Sequence, residues 1–372
     1  VLKLSGKVQN YAWGDTSSIA GLQGRTPTGE PEAEMWFGAH PSAPSGTAEG
    51  PLDAVITADP EGTVGTQETL PFLVKLLAAA QPLSIQAHPS IAQAQEGFAR
   101  EDAAGIPRDA AHRNYKDTNH KPEILIALTP FRAMAGFRPV DETVALLDEL
   151  DVPELEHVRA SLIDGDLRSV LSSWLAMEDP APLVNTVLDR AAELDSDVAR
   201  NLVFIGEAFP GDVGVLAALL LNHINLEPGQ ALFLPAGNMH AYLEGFGVEV
   251  MANSDNVLRG GLTEKHIDVE ELEDIVIFEP IKDPVLASRT AEQGGAVVSE
   301  FPVPVPDFSV TRCTGEGTIP VEGPAIVLAV AGEVELGGEL SLRAGEAAFV
   351  PVSDGVVAAA FGSADLFIVR PG

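Results

Sequence analysis

The chain has 372 residues, enough for two or three domains, and 45% of them are hydrophobic, so sizeable cores can be buried. Twenty-two Lys and Arg stand against 55 Asp and Glu, a net charge of −33. That excludes an extended basic footprint for nucleic acid and electrostatic attachment to an anionic membrane. A single cysteine, Cys313, excludes a disulfide framework and a thiolate metal cluster. No stretch from Val1 onward reads as a secretory leader, and no apolar run is long enough to span a bilayer. The expectation is a soluble protein of a reducing, cytoplasmic compartment.

Residues 1–70 are rich in Gly, Pro and Ser. Short apolar stretches such as Met35-Trp36-Phe37 and Leu52–Ala58 predict short strands between turns. Residues 72–80 (FLVKLLAAA) fit a strand or a buried helix, and periodicity does not separate the two. Leu83–His88 alternates apolar and polar up to Pro89, which predicts a strand with one polar face. A helix is predicted over 90–104 with Ser90 as N-cap, and a strand over Lys121–Ala127. Residues 141–219 change to Leu, Ala, Asp and Glu, and predict four to five helices. Strand patterns return at Ile224–Leu226 and Ala231–Leu234. Residues 285–372 carry short strands at Gly-marked spacing, the pattern of a sandwich or jelly roll. The segment LEPGQALFLPAGNMHAY (226–242) echoes LRAGEAAFVPVSDGVVAA (342–359). The two read as corresponding hairpins of related β-domains, the second without the histidine.

Gln86 and His88 are spaced i, i+2, so on a strand both face one side, about 6–7 Å apart. Such a pair suits a borderline divalent ion, although a polar strand face explains it as well. His240 follows the tight loop Pro235-Ala236-Gly237-Asn238, which can present a ligand or simply start a strand. Glu123 follows Pro122 at the opening of an apolar strand, where a buried carboxylate needs a metal or a lysine as partner. Together the four give two nitrogen and two oxygen ligands, the composition of a catalytic rather than a structural zinc site, and one that also accepts Fe²⁺, Co²⁺ or Mn²⁺. Arg259 precedes Gly260 and Gly261, which permit close backbone approach or positive φ. The register of Glu249 relative to His240 is undetermined, because Gly245–Gly247 can reset it. Thr263 is a possible N-cap for a helix carrying Lys265 and His266. Ser84 and Lys75 could bind phosphate or be structural. No P-loop and no dinucleotide fingerprint is present.

The segments NYAWG (10–14), EMWFGAHPSAPS (34–45), LPFLVKLLAAAQPLSIQAHPS (70–90), NYKDTNHKPEILIAL (114–128), LNHINLEPGQALFLPAGNMHAYLEG (221–245) and VEVMANSDNVLRGGLTEKHIDVEEL (248–272) together resemble the type I phosphomannose isomerases. The resemblance covers roughly residues 1–280 in motif, and the remainder in character. It implies a mainly β fold with a helical insertion, namely cupin-type jelly-roll domains plus a small all-α domain. The implied division is a catalytic jelly roll over 1–140 and 221–284, a helical insertion over 141–220 and a C-terminal jelly roll over 285–372 without metal ligands. It implies one Zn²⁺ held by Gln86, His88, Glu123 and His240, with Arg259, Glu249 and Lys121 in catalysis. Trp13, Lys75, Ser84, Tyr242 and Lys265 would line the substrate. Gly260, where many relatives have Ala, and Phe246, at a variable position, are small departures. The implied reaction is the interconversion of mannose 6-phosphate and fructose 6-phosphate through an enediol(ate). The partner is then a small sugar phosphate, with no nucleic acid and no membrane, and a monomer is expected with oligomers left open. Another metal-dependent cupin enzyme, such as a different sugar-phosphate isomerase or a dioxygenase, and a non-catalytic sugar-binding protein are the competing readings.

Overall fold

The computed structural model describes all 372 residues. Two large sheets dominate, one of eleven strands and one of nine. In the first, the strand order is Val285–Leu286, Ala231–Leu234, Glu123–Ala127, His240–Ala252, Phe72–Ala79, Glu34–Gly38, Lys7–Gln9. In the second it is Leu2–Leu4, Ala347–Val350, Ala325–Ala331, Val356–Arg370, Ser309–Glu322, Ala296–Phe301, Arg289–Gln293. The two orders match strand for strand. Each also carries a hairpin folded off its longest central strand: Phe131–Phe137 with Leu221–Leu226 in the first, Glu333–Leu336 with Leu340–Arg343 in the second. The echo between 226–242 and 342–359 therefore lies at equivalent places in two copies of one topology. The sheets exchange edge strands across the expected boundaries. Leu2–Leu4 pairs with Ala347–Phe349, and Val285–Leu286 pairs with Ala231 and Leu232.

The run at 72–79 is a strand, buried along its whole length. Its even positions Phe72, Val74, Leu76 and Ala78 join a core shared by both sheets, with Phe349, Phe367 and Ile326 opposite. Its odd positions Leu77 and Ala79 face the interior of the first jelly roll with Leu125, Ala127 and Tyr242. A strand buried on both faces loses its alternation, which is why periodicity could not classify this one. The other half of the first jelly roll turns its outer face, through Met134, Ala241 and Leu243, onto the helical region.

The helical region holds six α-helices, Val140–Leu150, Glu156–Ile163, Leu167–Leu175, Ala181–Ala191, Asp197–Ala208 and Gly214–Leu219, against the four to five expected. Gly214–Leu219 is buried on every side and so shows no amphipathic period. Leu52–Ala58, expected as a short strand, is a helix. Leu52 and Ile56 are its buried residues, an i, i+4 pair on one face. Ile91–Ala103 is a helix as predicted, and Ser90 closes a capping box with Gln93. Of the strand expected over 83–88 only Gln86–Ala87 is in a ladder. No helix is long and apolar enough to cross a membrane.

Phe349 lies in the core that both sheets share. Phe349→Ala is expected to cost about 3–5 kcal/mol and to lower one common melting transition in calorimetry. Two separated transitions would show that the sheets fold independently.

Candidate metal centre and its surroundings

Interior-facing positions of the first jelly roll carry charge. Glu123 opens its strand opposite Leu234 and Met251. Lys75 lies directly across the ladder from Glu249 on one side and Trp36 on the other. His240 and Tyr242 are even-numbered and Glu249 is odd, yet the Tyr242 hydroxyl donates to Glu249 Oε1 at 2.9 Å. A register shift between Tyr242 and Glu244 changes the parity. Gly245 follows at φ +142°, where a Cβ would meet the Phe131 ring at 2.5 Å. This bulge is the register reset that the sequence left undetermined.

His88, Glu123 and His240 bring one ligand atom each to a common point, all within 4.8 Å of one another. Glu123 Oε1 is 3.6 Å from His88 Nε2, and Oε2 is 3.3 Å from His240 Nε2. His88 Nδ1 is 2.7 Å from the Asn256 carbonyl, and His240 Nδ1 is 3.0 Å from the Asn238 carbonyl. A carbonyl only accepts, so each Nδ1 carries the proton and each Nε2 presents a lone pair inward. Both Nε2 atoms and Glu123 Oε2 are buried without a hydrogen-bond partner. Three buried acceptors without partners, converging on one point, are costly alone and fit a divalent cation. Burial holds His88 down to about 4, in its neutral, ligating form. Gln86 is the cross-strand partner of His240, so the two side chains share a face. Burial disfavours the Glu123 charge, but Lys121 Nζ, 3.0 Å from Oε1, holds it ionised.

Beside this centre, Lys75 Nζ is 2.9 Å from Glu249 and 3.5 Å from Glu34. Trp36 stacks under the ammonium and its Nε1–H donates to Glu34 at 2.7 Å. Burial disfavours the Lys75 charge, but Glu249 and Glu34 outweigh it and hold the ammonium protonated. Burial pushes Glu249 upward, and Glu123 and Glu34 add to that. Lys75 is therefore an interior group enclosed by carboxylates rather than a rim cation. Tyr242 is likewise buried and serves as a donor to Glu249. Trp13 is half-buried against the interior cluster, 5.7 Å from the exposed Tyr11 ring.

Cations without carboxylate partners gather elsewhere. Arg259 is half-buried and its ladder partner is Gln86. Burial alone lowers it, with no carboxylate to offset the cost. Lys265 is lowered chiefly by Arg259, then by burial and by Lys116. Like charges crowded at a rim favour an anion. Ser84 is strung beside them, since the neighbouring Leu83 N–H donates to the Tyr242 carbonyl and the Ile85 N–H to that of Gly261. Gly261, at φ +121°, lies so close to the helical region that a Cβ would fall 2.4 Å from Gly214 Cα. Asp212 accepts from the N–H groups of Gly214, Leu262 and Thr263, which fixes this turn. Thr263 does not cap a helix. The next helix, Val269–Ile275, starts beyond Lys265 and His266 and is capped by Asp268. A 780 Å³ cavity in the second sheet is lined by Glu316, Glu333 and Glu335 and by no cation, and offers nothing to a phosphate.

A search among known proteins bears directly on this arrangement. The catalytic domain of type I phosphomannose isomerase matches residues 1–140. The mannose-6-phosphate isomerase of Escherichia coli (strain K12) is 41% identical over 377 residues, covering 95% of this chain and 96% of its own. The chain belongs to the type I phosphomannose isomerases. Among solved members of the family, a glutamate-to-alanine mutant from Salmonella typhimurium superposes with a TM-score of 0.93 at 38% identity, covering 100% of this chain and 99% of that one. A mannose 6-phosphate isomerase crystallised with zinc bound gives 0.92 at 38% identity over the same shares.

Four residues of this phosphomannose isomerase went unassigned from sequence. Glu34 and Trp36 could have been flagged by their i, i+2 spacing in EMWFG, whereas no local signal marks Lys116 or Asn256. Asn256 is the third-party clamp of the centre. Its side chain accepts from Lys116 N–H and donates to the carbonyls of Asp117 and Asn119, while its own carbonyl orients His88. Asn256→Ala is expected to weaken divalent-metal affinity by about 10–100-fold in a metal titration, with His240 still buried. Unchanged affinity would show that the clamp does not orient His88.

Proposed function

We propose that the chain interconverts mannose 6-phosphate and fructose 6-phosphate, using one zinc ion held by Gln86, His88, Glu123 and His240. The observation that carries this reading is a buried Lys75–Glu249 ion pair beside three buried ligand atoms without partners. Relatives bearing the name of that activity span nearly the whole chain. Zinc, when bound, polarises the sugar oxygens and stabilises negative charge developing on them.

Arg259, Lys265 and Lys116 take the phosphate at the rim with the Ser84 hydroxyl, so binding energy far from the reacting carbons fixes C1 and C2. Glu249, paired with the Lys75 ammonium at 2.9 Å, removes the proton from C2 of the open-chain aldose. The C2–H electron pair becomes the C1–C2 double bond, and the carbonyl electrons move onto O1. The O2 proton passes to O1, and returning the carbon proton from Glu249 to C1 leaves C2 as the ketone. Tyr242 and Glu34 hold the pair in place from either side. Lys121, 3.0 Å from Glu123, supplies fixed positive charge toward the oxygens.

Chelation is expected to abolish interconversion, and added zinc to restore it. Glu249→Gln should lower kcat by about 10²–10⁴-fold and stop solvent deuterium from entering C1 and C2, with zinc remaining at one per chain. An active Glu249→Gln enzyme would remove Glu249 from proton transfer. Lys116→Ala should raise KM by roughly tenfold, one charge-assisted hydrogen bond, with kcat unchanged. A fall in kcat alone would place Lys116 outside the phosphate site.

A further inference from the structure

The second jelly roll reaches the catalytic loop at one polar contact. His120 Nε2 lies 2.7 Å from Asp307 Oδ2, and both side chains are largely buried, at 13% and 11% exposure. His120 immediately precedes Lys121, which grips the metal-ligand candidate Glu123 at 3.0 Å. Asp307 is the next-to-last residue of the segment Phe301-Pro302-Val303-Pro304-Val305-Pro306-Asp307-Phe308. Its two phenylalanines are buried in the core shared by the sheets, and Val303 and Val305 pack against that core while the prolines face outward. Proline fixes its own φ and restricts the residue before it, so three Xaa-Pro steps in a row make a stiff arm. The Gly372 N–H donates to the Pro306 carbonyl and pins the arm beside its tip.

We propose that this arm is a strut and that Asp307 is a positioning residue, which sets Lys121 through His120. The shared apolar core already joins the two sheets, so adhesion does not call for a buried polar pair at this place. A single hydrogen bond adds little net stability but fixes a direction. Glu123 is held by its own ladder partners, whereas Lys121 precedes Pro122 in a loop whose neighbouring anchors are the bonds of Asn119 to Asn253 and Asn256, of Pro122 to the Ala252 N–H, and of His120 to Asp307. Losing the strut therefore disturbs Lys121 and spares the metal. The C-terminal jelly roll, which has no ligands of its own, would contribute to turnover by this route.

The proposal rests on the isomerase reading, which wild-type turnover checks separately. Asp307→Ala in the full-length zinc enzyme is expected to lower kcat by about tenfold, with zinc still at one per chain. Asp307→Asn keeps an oxygen acceptor at the same place and should recover activity to within about threefold of wild type. The double variant His120→Ala/Asp307→Ala should be no slower than either single one. Amide exchange over 116–121, which does not depend on activity, should quicken in Asp307→Ala. Asp365→Ala, which breaks the Arg312–Asp365 pair within the second sheet, should lower the melting temperature and leave kcat alone. Wild-type kcat in Asp307→Ala, fully additive losses in the double variant, or unchanged exchange over 116–121 would each overturn the strut.

Discussion

Everything in this molecule depends on putting charge inside a jelly roll. Lys75, Glu34, Glu123 and Glu249 are all less than a tenth exposed. Each would cost several kcal/mol if unpaired. The cost is offset by ladder geometry: Lys75 and Glu249 are direct cross-strand partners, and Trp36 completes the row. The opposite faces of the same strands are wholly apolar and form the core between the sheets. Stability and chemistry are thus assigned to alternate residues of one strand. The residual imbalance is informative. Three carboxylates face two lysines, and the three orphaned acceptors complete the case for a cation.

The second sheet shows what the same topology looks like without that charge. Following the ladders, Glu123 corresponds to Ala325, since each opposes the last residue of the neighbouring strand, Leu234 or Val350. By the same registers Lys75 and Glu249 correspond to Thr311 and Ile368. The hairpin echo aligns His240 with Val356. These four positions are neutral in the second sheet, while the strand order is kept. Fold and site are separable properties of this architecture. The neutral copy still shapes the charged one, because its apolar face closes the shared core.

The convergence of His88, Glu123 and His240 was partly legible in the sequence for a physical reason. A carboxylate opening an apolar strand and a histidine after a tight Pro-Gly loop are local patterns, and local spacing survives folding. The echo was legible because both hairpins use the same turn chemistry. Glu249 was not, because one bulge inverted its face, and no composition signal marks a bulge between Tyr242 and Glu244. Leu52–Ala58 was misread because a short apolar stretch was taken for a strand, although Leu52 and Ile56 carry the helical spacing. Asn256 was invisible for a different reason. Its partners lie some 140 positions earlier in the chain, and a polar residue gives no hint of which distant loop it will bind.

The net charge of −33 takes on a definite meaning once the cations are placed. Most of those in 71–138 are already committed: Arg100 to Glu271, Arg113 to Asp102, Arg132 to Glu244, Lys75 and Lys121 to interior carboxylates. Abundance along the chain was therefore a poor guide to anion binding. What distinguishes Arg259 and Lys265 is that no carboxylate offsets the burial of the first, and that the second is disfavoured chiefly by Arg259, then by burial and by Lys116. In so acidic a chain, keeping three cations unpaired together has to be built, and the build is visible. Asp212 accepts from the backbone N–H groups of Leu262 and Thr263 in the turn after Arg259, and the neutral Asn256 accepts from the Lys116 backbone N–H. An acidic surface and a cationic pocket are thus compatible, because the scaffold around the pocket does its holding with uncharged or already satisfied groups.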